Sequence, residues 1–222
     1  MSLDKKNSIN NILEENRVFP PPKKFAENSN ISSQEELLSR VIMDLAEGEI
    51  KQNLNRFDSA QSFSKYINKS YCKTASLIAN SCKAAGVLSN LNDKELDSLY
   101  CFGKNIGLAF QVVDDILDFT GNDKQLGKPA VSDLASGYLT APVLYALEEN
   151  KKLSVLINRE LAEKNDIDNA LDIIMKSKAI ESSRKLAEDF AMLSKEAIVW
   201  LPDSEYKRAL LALPEFVLSR IY

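Results

Sequence analysis

Apolar residues recur at three- and four-residue intervals through most of the chain after residue 33, as on one face of an α-helix. Ser33 with Glu36 three residues later is a capping-box pattern, and it predicts a helix that runs to about Arg56. A long amphipathic helix is predicted over 62–87. A third helix is predicted to be capped by Asp93 and to end near Gly121.

The second half of the chain continues this helical pattern after a polar loop over 122–132 that contains Gly127 and Pro129. Pro202 is expected to start the last helix and Pro214 to lie within it. The predicted segments are 138–149, 151–162, 166–177, 179–199 and 203–219. Because few strand-like alternations occur, the sequence predicts an all-α fold with about seven main helices.

Residues 1–34 differ from the rest of the chain. They are polar and rich in asparagine, and the run Pro20–Pro22 cannot lie inside a helix. The sequence therefore predicts an irregular N-terminal arm over 1–34, with a short helix near its start, and a helical domain over 35–222.

Composition narrows the class of protein. The formal charge of the 222 residues is −4, which gives no electrostatic reason to expect a nucleic-acid partner. No apolar run approaches the roughly 18 residues that a membrane span needs, and the first residues do not resemble a signal peptide. We therefore expect a cytoplasmic protein without a membrane span.

Two residue types constrain the chemistry further. The three cysteines, Cys72, Cys82 and Cys101, lack CxxC spacing, which favours free thiols in a reducing compartment. The chain has no histidine, so catalytic triads, Cys/His pairs and imidazole metal sites are excluded.

One helical stripe carries most of the candidate chemistry. Gln111, Asp114, Asp115 and Asp118 stand at i, i+3, i+4 and i+7 and therefore share one face. Three carboxylates this close repel one another, so the arrangement favours a cation, and oxygen ligands suit a hard ion such as Mg²⁺. The alternative interpretation is a solvated acidic face.

Basic residues elsewhere supply a complementary charge. Lys73 and Thr74 lie inside an otherwise apolar helical stretch, and Lys128 is presented by the loop after the aspartate helix. Cations, an amide and metal-binding carboxylates are the groups that hold a diphosphate through Mg²⁺. A lysine in such a helix can also simply extend its ammonium to solvent.

These motifs resemble a known family. The run Gly107–Asp118 (GLAFQVVDDILD), followed by Gly127-Lys128-Pro129, Ser132-Asp133-Leu134 and Thr140-Ala141-Pro142, is similar to the second aspartate-rich region of trans-prenyl diphosphate synthases. The long-chain, solanesyl-type branch resembles it best, over residues 41–222. The resemblance implies an isoprenoid-synthase-type helical bundle and Mg²⁺-dependent condensation of isopentenyl diphosphate with an allylic diphosphate.

The resemblance also implies roles for individual residues. The implied metal ligands are Asp114, Asp115 and Asp118, with Asp114 as the direct ligand. The implied contacts to the allylic diphosphate are Lys73, Thr74, Gln111 and Lys128. Asp114, Asp115 and Lys73 are thereby expected to carry the catalysis.

Part of the family pattern is missing. Before Lys73 there is no DDxxD, no GGKxxRP and no Arg-Arg pair. Residues 11–38 instead resemble the N-terminus of AMP-forming acetyl-CoA synthetases. We therefore expect a C-terminal half of a polyprenyl synthase, joined to an unrelated arm, with an incomplete bundle and impaired condensation.

Two classes of function stay open at this point. The first is a prenyltransferase, acting as a homodimer or with a full synthase. The alternative is a non-catalytic truncated or accessory subunit that binds diphosphate or a synthase partner.

Overall fold

The computed structural model describes residues 33–121 and 131–221, and these residues form helices without any β-strand. The elements are α1 (Ser33–Leu54), α2 (Phe63–Ser70), a π-helical turn (Tyr71–Ala75), α3 (Ser76–Leu88), α4 (Asp93–Thr120), α5 (Ser132–Ala135), α6 (Ala141–Glu149), α7 (Lys151–Asn158), α8 (Asp166–Lys176), α9 (Ala179–Ala197) and α10 (Glu205–Ser219). The predicted all-α fold is confirmed. The predicted arm up to residue 32 and the loop residues 122–130, which include Lys128, lie outside the described residues.

Helix α4 is the central element of the core. It packs against α3 and α9 along its length and against the π-helical turn, α6 and α10 at further contacts. Val112, Val113 and Ile116 are fully buried, so apolar side chains face neighbours on more than one side of the helix. Because α4 is surrounded in this way, two of the aspartates that it carries, Asp115 and Asp118, are held in the interior.

The start of α4 differs in one detail from the prediction. The cap is Asn92, not Asp93, because Asn92 Oδ1 accepts the Glu95 N–H at 3.1 Å. Glu95 Oε2 in turn accepts the Asn92 N–H at 3.0 Å, which completes a capping box. The predicted end of this helix near Gly121 is confirmed.

Two glycines allow α4 to lie directly against the preceding helical segment. A Cβ on Gly107 would lie 2.6 Å from the Ala75 Cα, and one on Gly103 would lie 2.6 Å from the Ile78 carbonyl oxygen. Both distances are shorter than any side chain tolerates, so the backbones meet only because these residues are glycine. This close approach brings the π-helical turn beside the aspartate stripe.

Several predicted helices have different bounds in the structure; the one predicted over 138–149 begins at Ala141, and the one predicted over 151–162 ends at Asn158. The segment predicted as one α-helix over 62–87 contains the π-helical turn Tyr71–Ala75. The last helix begins at Glu205 rather than at Pro202, because Ser204 provides the cap by accepting the Lys207 N–H at 3.1 Å. Pro214 lies inside this helix, as the sequence predicts.

Within the described residues, several apolar side chains of helix α1 are exposed. Leu38, Ile42 and Leu54 are 62%, 63% and 77% exposed. The opposite side of α1 contacts α2, the π-helical turn and α3. Across the described residues, no helix combines the length and apolar character that a membrane crossing needs.

Candidate functional site

The second aspartate of the stripe is an interior residue with two hydrogen-bond donors. Asp115 is 2% exposed. Tyr66 donates its hydroxyl to Asp115 Oδ2 at 2.7 Å, and Gln111 Nε2 donates to Oδ1 at 2.9 Å. Burial raises the pKa of Asp115 to about 6, against the opposing effects of the Lys69 ammonium and the two donors.

The third aspartate links α4 to the chain that returns after the loop. Asp118 is fully buried, and its carboxylate accepts the Ser132 hydroxyl at 3.1 Å and the Asp133 N–H at 3.1 Å. Its backbone carbonyl accepts the Val131 N–H at 2.8 Å. Because Asp115 and Asp118 are both buried, a solvated acidic face is the wrong description of this pair.

The first aspartate is the accessible one. The Asp114 side chain is 37% exposed, and its Oδ1 lies 2.8 Å from Arg220 Nη2. The guanidinium of Arg220 also lies over the Phe110 ring, 4.9 Å from its centroid. The three predicted ligands therefore occupy three different environments, although they share one helical stripe.

This arrangement fits a magnesium ion held through Asp114. Mg²⁺ keeps several waters and takes one or two carboxylates together with substrate phosphates, so a solvent-accessible carboxylate is a suitable anchor even though it pairs with Arg220 in this structure. The two oxygens of Asp115 and the two of Asp118 already accept hydrogen bonds. Among the described residues, the group of three ligand atoms within 4.8 Å of one another is Asp44, Glu47 and Cys72, which does not include the stripe.

Thr74 and Gln111 are brought together across the contact between the π-helical turn and α4. Thr74 Oγ1 donates to Gln111 Oε1 at 2.6 Å. Since Gln111 Nε2 donates to Asp115, the amide is held at both ends and its orientation is fixed. Single π-helical turns are frequent at functional sites, and both Lys73 and Thr74 belong to this one.

Lys73 extends toward α1 rather than toward the aspartates. Its ammonium donates to Gln52 Oε1 at 2.9 Å and lies 3.8 Å from Glu49 Oε1. Helix α1 comes this close because residue 48 is glycine, whose added Cβ would lie 2.9 Å from the Lys73 backbone nitrogen. The Lys73 side chain stays 35% exposed, so its ammonium is accessible to an anion.

Sequence reasoning missed several residues of this site. Tyr66 and Lys69 precede Lys73 by seven and four residues, so the helical repeat places them on one stripe and was an available signal. Gln52 carried no comparable signal, because only the crossing of α1 brings it to Lys73. Lys128, predicted to contact the diphosphate, lies outside the described residues.

The described residues thus form an all-helical fold with an aspartate stripe on its central helix and a lysine–threonine pair in the adjacent turn. Residues 19–174 match the polyprenyl synthetase family. The chain belongs to this family.

Similar proteins support the same assignment. The chain is 50% identical over 186 residues to a prenyl transferase from Synechocystis sp., an alignment that covers 84% of this chain and 58% of the relative. It is 45% identical over 185 residues to the chloroplastic solanesyl diphosphate synthase 2 of Arabidopsis thaliana, covering 83% of this chain and 44% of that protein. The chain thus spans less than two thirds of the length of either relative.

A solved structure confirms the predicted isoprenoid-synthase-type fold. The heptaprenyl diphosphate synthase from Staphylococcus aureus superimposes with a TM-score of 0.81 at 31% sequence identity. The superposition covers 86% of this chain and 60% of that enzyme.

Proposed function

We propose that this chain carries the allylic-diphosphate side of a Mg²⁺-dependent trans-prenyltransferase site, which condenses isopentenyl diphosphate with an allylic diphosphate to a long-chain polyprenyl diphosphate. The hydrogen bond from Thr74 to Gln111 at 2.6 Å carries the proposal. It joins the lysine–threonine turn to the aspartate helix, so the Thr74 hydroxyl, the Gln111 amide and the Asp115 carboxylate are linked, with Lys73 beside Thr74 in the same turn.

In this proposal the residues divide the work of binding. Asp114 would hold Mg²⁺, and Lys73, Thr74, Gln111 and Lys128 would contact the diphosphate. Bound Mg²⁺ supplies positive charge that offsets the negative charge developing on the departing pyrophosphate. In this proposal, Lys73 and Lys128 also donate charge-assisted hydrogen bonds to oxygens of the departing pyrophosphate.

The reaction balances without any further reagent. The C–O bond of the allylic diphosphate breaks with its electron pair leaving on pyrophosphate, and the alkene of isopentenyl diphosphate forms the new C–C bond. A proton is then lost, which restores the double bond. A site that excludes water protects such a carbocation from hydrolysis.

Asp115 and Asp118 serve this site by positioning other groups, in our proposal. Asp115 fixes the amide of Gln111, and Asp118 fixes the return of the chain at Ser132. Both carboxylates lie next to the site and are buried. Their predicted role as direct metal ligands stays a prediction.

Several finer points belong to the same proposal. The 222 residues hold one aspartate-rich stripe, so we propose that they condense slowly or not at all unless another segment or subunit supplies a second. The solanesyl-type relative suggests a long product.

Free cysteines at positions 72, 82 and 101 fit a reducing compartment such as the cytoplasm. The resemblance of residues 11–38 to acetyl-CoA synthetases stays a prediction and carries no acyl-activating function.

The test is a condensation assay on the mass-verified protein with Mg²⁺, farnesyl diphosphate and labelled isopentenyl diphosphate, alone and with a full-length synthase. The proposed prenyltransferase activity is supported if the wild type forms labelled long-chain product and the Asp114→Asn variant does not. Absence of product together with absence of Mg²⁺-dependent farnesyl diphosphate binding contradicts it.

One observation favours an accessory subunit as a second candidate function. Leu38 and Ile42 stand one helical turn apart on α1 and are 62% and 63% exposed. A contiguous exposed apolar patch is typical of a surface that a protein partner covers. Co-purification with a full-length synthase that Ile42→Lys disrupts would support this candidate, and an equally stable complex would contradict it.

A further inference from the structure

Lys69 is a cation next to the site that none of the implied roles uses. It stands on α2 one helical turn before Lys73 and is partly buried. Its ammonium lies 5.3 Å from the centroid of the Tyr66 ring, a cation–π distance. Within residues 33–121 and 131–221, it makes no hydrogen bond and no ion pair with a carboxylate.

Burying such a cation costs free energy unless an anion lies close enough to pair with it. Burial lowers the pKa of Lys69, because the charged form loses hydration, and the Lys73 ammonium lowers it further, against the attraction of Asp115 and Asp133. Buried charges in proteins are normally paired and hydrogen-bonded. The contact with the Tyr66 ring replaces only part of the lost hydration.

The neighbours of Lys69 indicate where its anion would lie. The Lys69 ammonium lies over the ring of Tyr66. The Tyr66 hydroxyl donates to Asp115, the residue that orients Gln111. Lys73 follows one turn later on the same segment. Lys69 therefore stands between Lys73, which the proposed function assigns to diphosphate binding, and Tyr66, whose hydrogen bond to Asp115 leads to Gln111.

We propose that Lys69 is a further diphosphate-binding residue, which contacts the pyrophosphate moiety beside Lys73 when substrate is bound. The proposal rests on the proposed function and extends its set of cations by one. Two adjacent ammonium groups on one stripe match an anion with several charged oxygens better than one does. The incoming diphosphate supplies the partner that the described residues do not provide.

The helix offers a matched control. Lys65 stands one turn before Lys69 on α2, is 57% exposed, and lies 3.7 Å from Asp58 Oδ2. Lys65→Gln removes the same charge from the same helix at a solvated position. The two substitutions, Lys65→Gln and Lys69→Gln, differ only in the surroundings of the ammonium that each removes.

The test is calorimetric titration of the full chain with inorganic pyrophosphate in the presence of Mg²⁺, for wild type, Lys69→Gln, Lys69→Arg, Lys65→Gln and Asp114→Asn. A charge-assisted hydrogen bond contributes enough that we expect Lys69→Gln to weaken binding about tenfold or more. We expect Lys65→Gln to remain within about twofold of wild type. Lys69→Arg keeps the charge and is expected to recover part of the loss.

The outcomes separate the two proposals. Binding that Asp114→Asn weakens and Lys69→Gln leaves unchanged overturns the role of Lys69 while the proposed function stands. Equal losses in Lys69→Gln and Lys69→Arg, with equally lowered melting temperatures, overturn it as well, because the residue is then structural. Absence of pyrophosphate binding in the wild-type chain overturns both.

Discussion

Arg220 Nη2 lies 2.8 Å from Asp114 Oδ1, so the last turn of the described chain reaches the first aspartate of the stripe. Both side chains are about one third exposed, at 35% and 37%. The Arg220 guanidinium pairs with the Asp114 oxygen that would bind the metal ion in the proposed function. Under the proposed function, Arg220 and Mg²⁺ would therefore compete for Asp114.

This competition predicts that Arg220→Gln tightens Mg²⁺ binding by the substrate-free chain. An exposed ion pair contributes about 0.2–1 kcal/mol, so the dissociation constant is expected to fall at most about fivefold. Titration calorimetry with MgCl₂ at low ionic strength measures the change. Arg208→Gln is the control, because Arg208 pairs with the exposed Asp203 at 3.3 Å. An unchanged constant in Arg220→Gln would refute the competition.

A second prediction separates the aspartates by their environments. Asp118→Asn replaces a buried acceptor of two hydrogen bonds, so we expect it to lower the free energy of unfolding by about 1–3 kcal/mol. Asp114→Asn should change stability by less than about 0.5 kcal/mol yet weaken Mg²⁺-dependent pyrophosphate binding. Urea unfolding and calorimetry on both variants measure the contrast. Equal stability of the two variants would show that the Asp118 contacts contribute little.

A third prediction concerns Tyr66. Tyr66→Phe removes the hydroxyl that donates to the buried Asp115, and a hydrogen bond to a charged group contributes about 1.5–3 kcal/mol. We expect a loss of stability in this range at pH 7.5, measured by urea unfolding. Tyr206→Phe is the matched control, because Tyr206 is 75% exposed and its hydroxyl should be dispensable. Equal unfolding midpoints for the two variants would contradict the prediction.

A fourth prediction uses Lys104, which is 3% exposed on α4. Burial lowers its pKa to about 8, against about 10.4 for an unperturbed lysine. Between these values the unfolded chain binds more protons than the folded protein, so the free energy of unfolding of the wild type rises with pH over this interval. Below it, the buried charge costs on the order of 3 kcal/mol.

Lys104→Met is therefore expected to be more stable than wild type at pH 7 and to lose that advantage by about pH 10. Denaturant unfolding between pH 7 and pH 10 tests this. Lys94→Met, at an exposed position of the same helix, should show no such trend. A pH-independent difference between Lys104→Met and wild type would exclude titration of Lys104 as its cause.

Local features of the fold were predictable from the sequence. The helical repeat predicted the extent of α4 to within about a residue, because the pattern from residue 93 to residue 120 lies within one element. The same repeat predicted that Gln111 and the three aspartates share a stripe. Predictions at helix ends were less accurate. Asn92 and Ser204 provide the caps, and the side chain that bonds to the backbone decides between adjacent polar residues.

The sequence by itself therefore determined the helices, the stripe and the chemical types available to the site. Tertiary structure decided which aspartate side chain is accessible to solvent. Asp115 is buried by its contact with Tyr66, and Asp114 is paired with Arg220, and both partners are distant in sequence. The π-helical turn likewise lies beside the stripe because α4 approaches it closely at Gly107. Burial and pairing depend on contacts between elements, whereas periodicity is a property of one element alone.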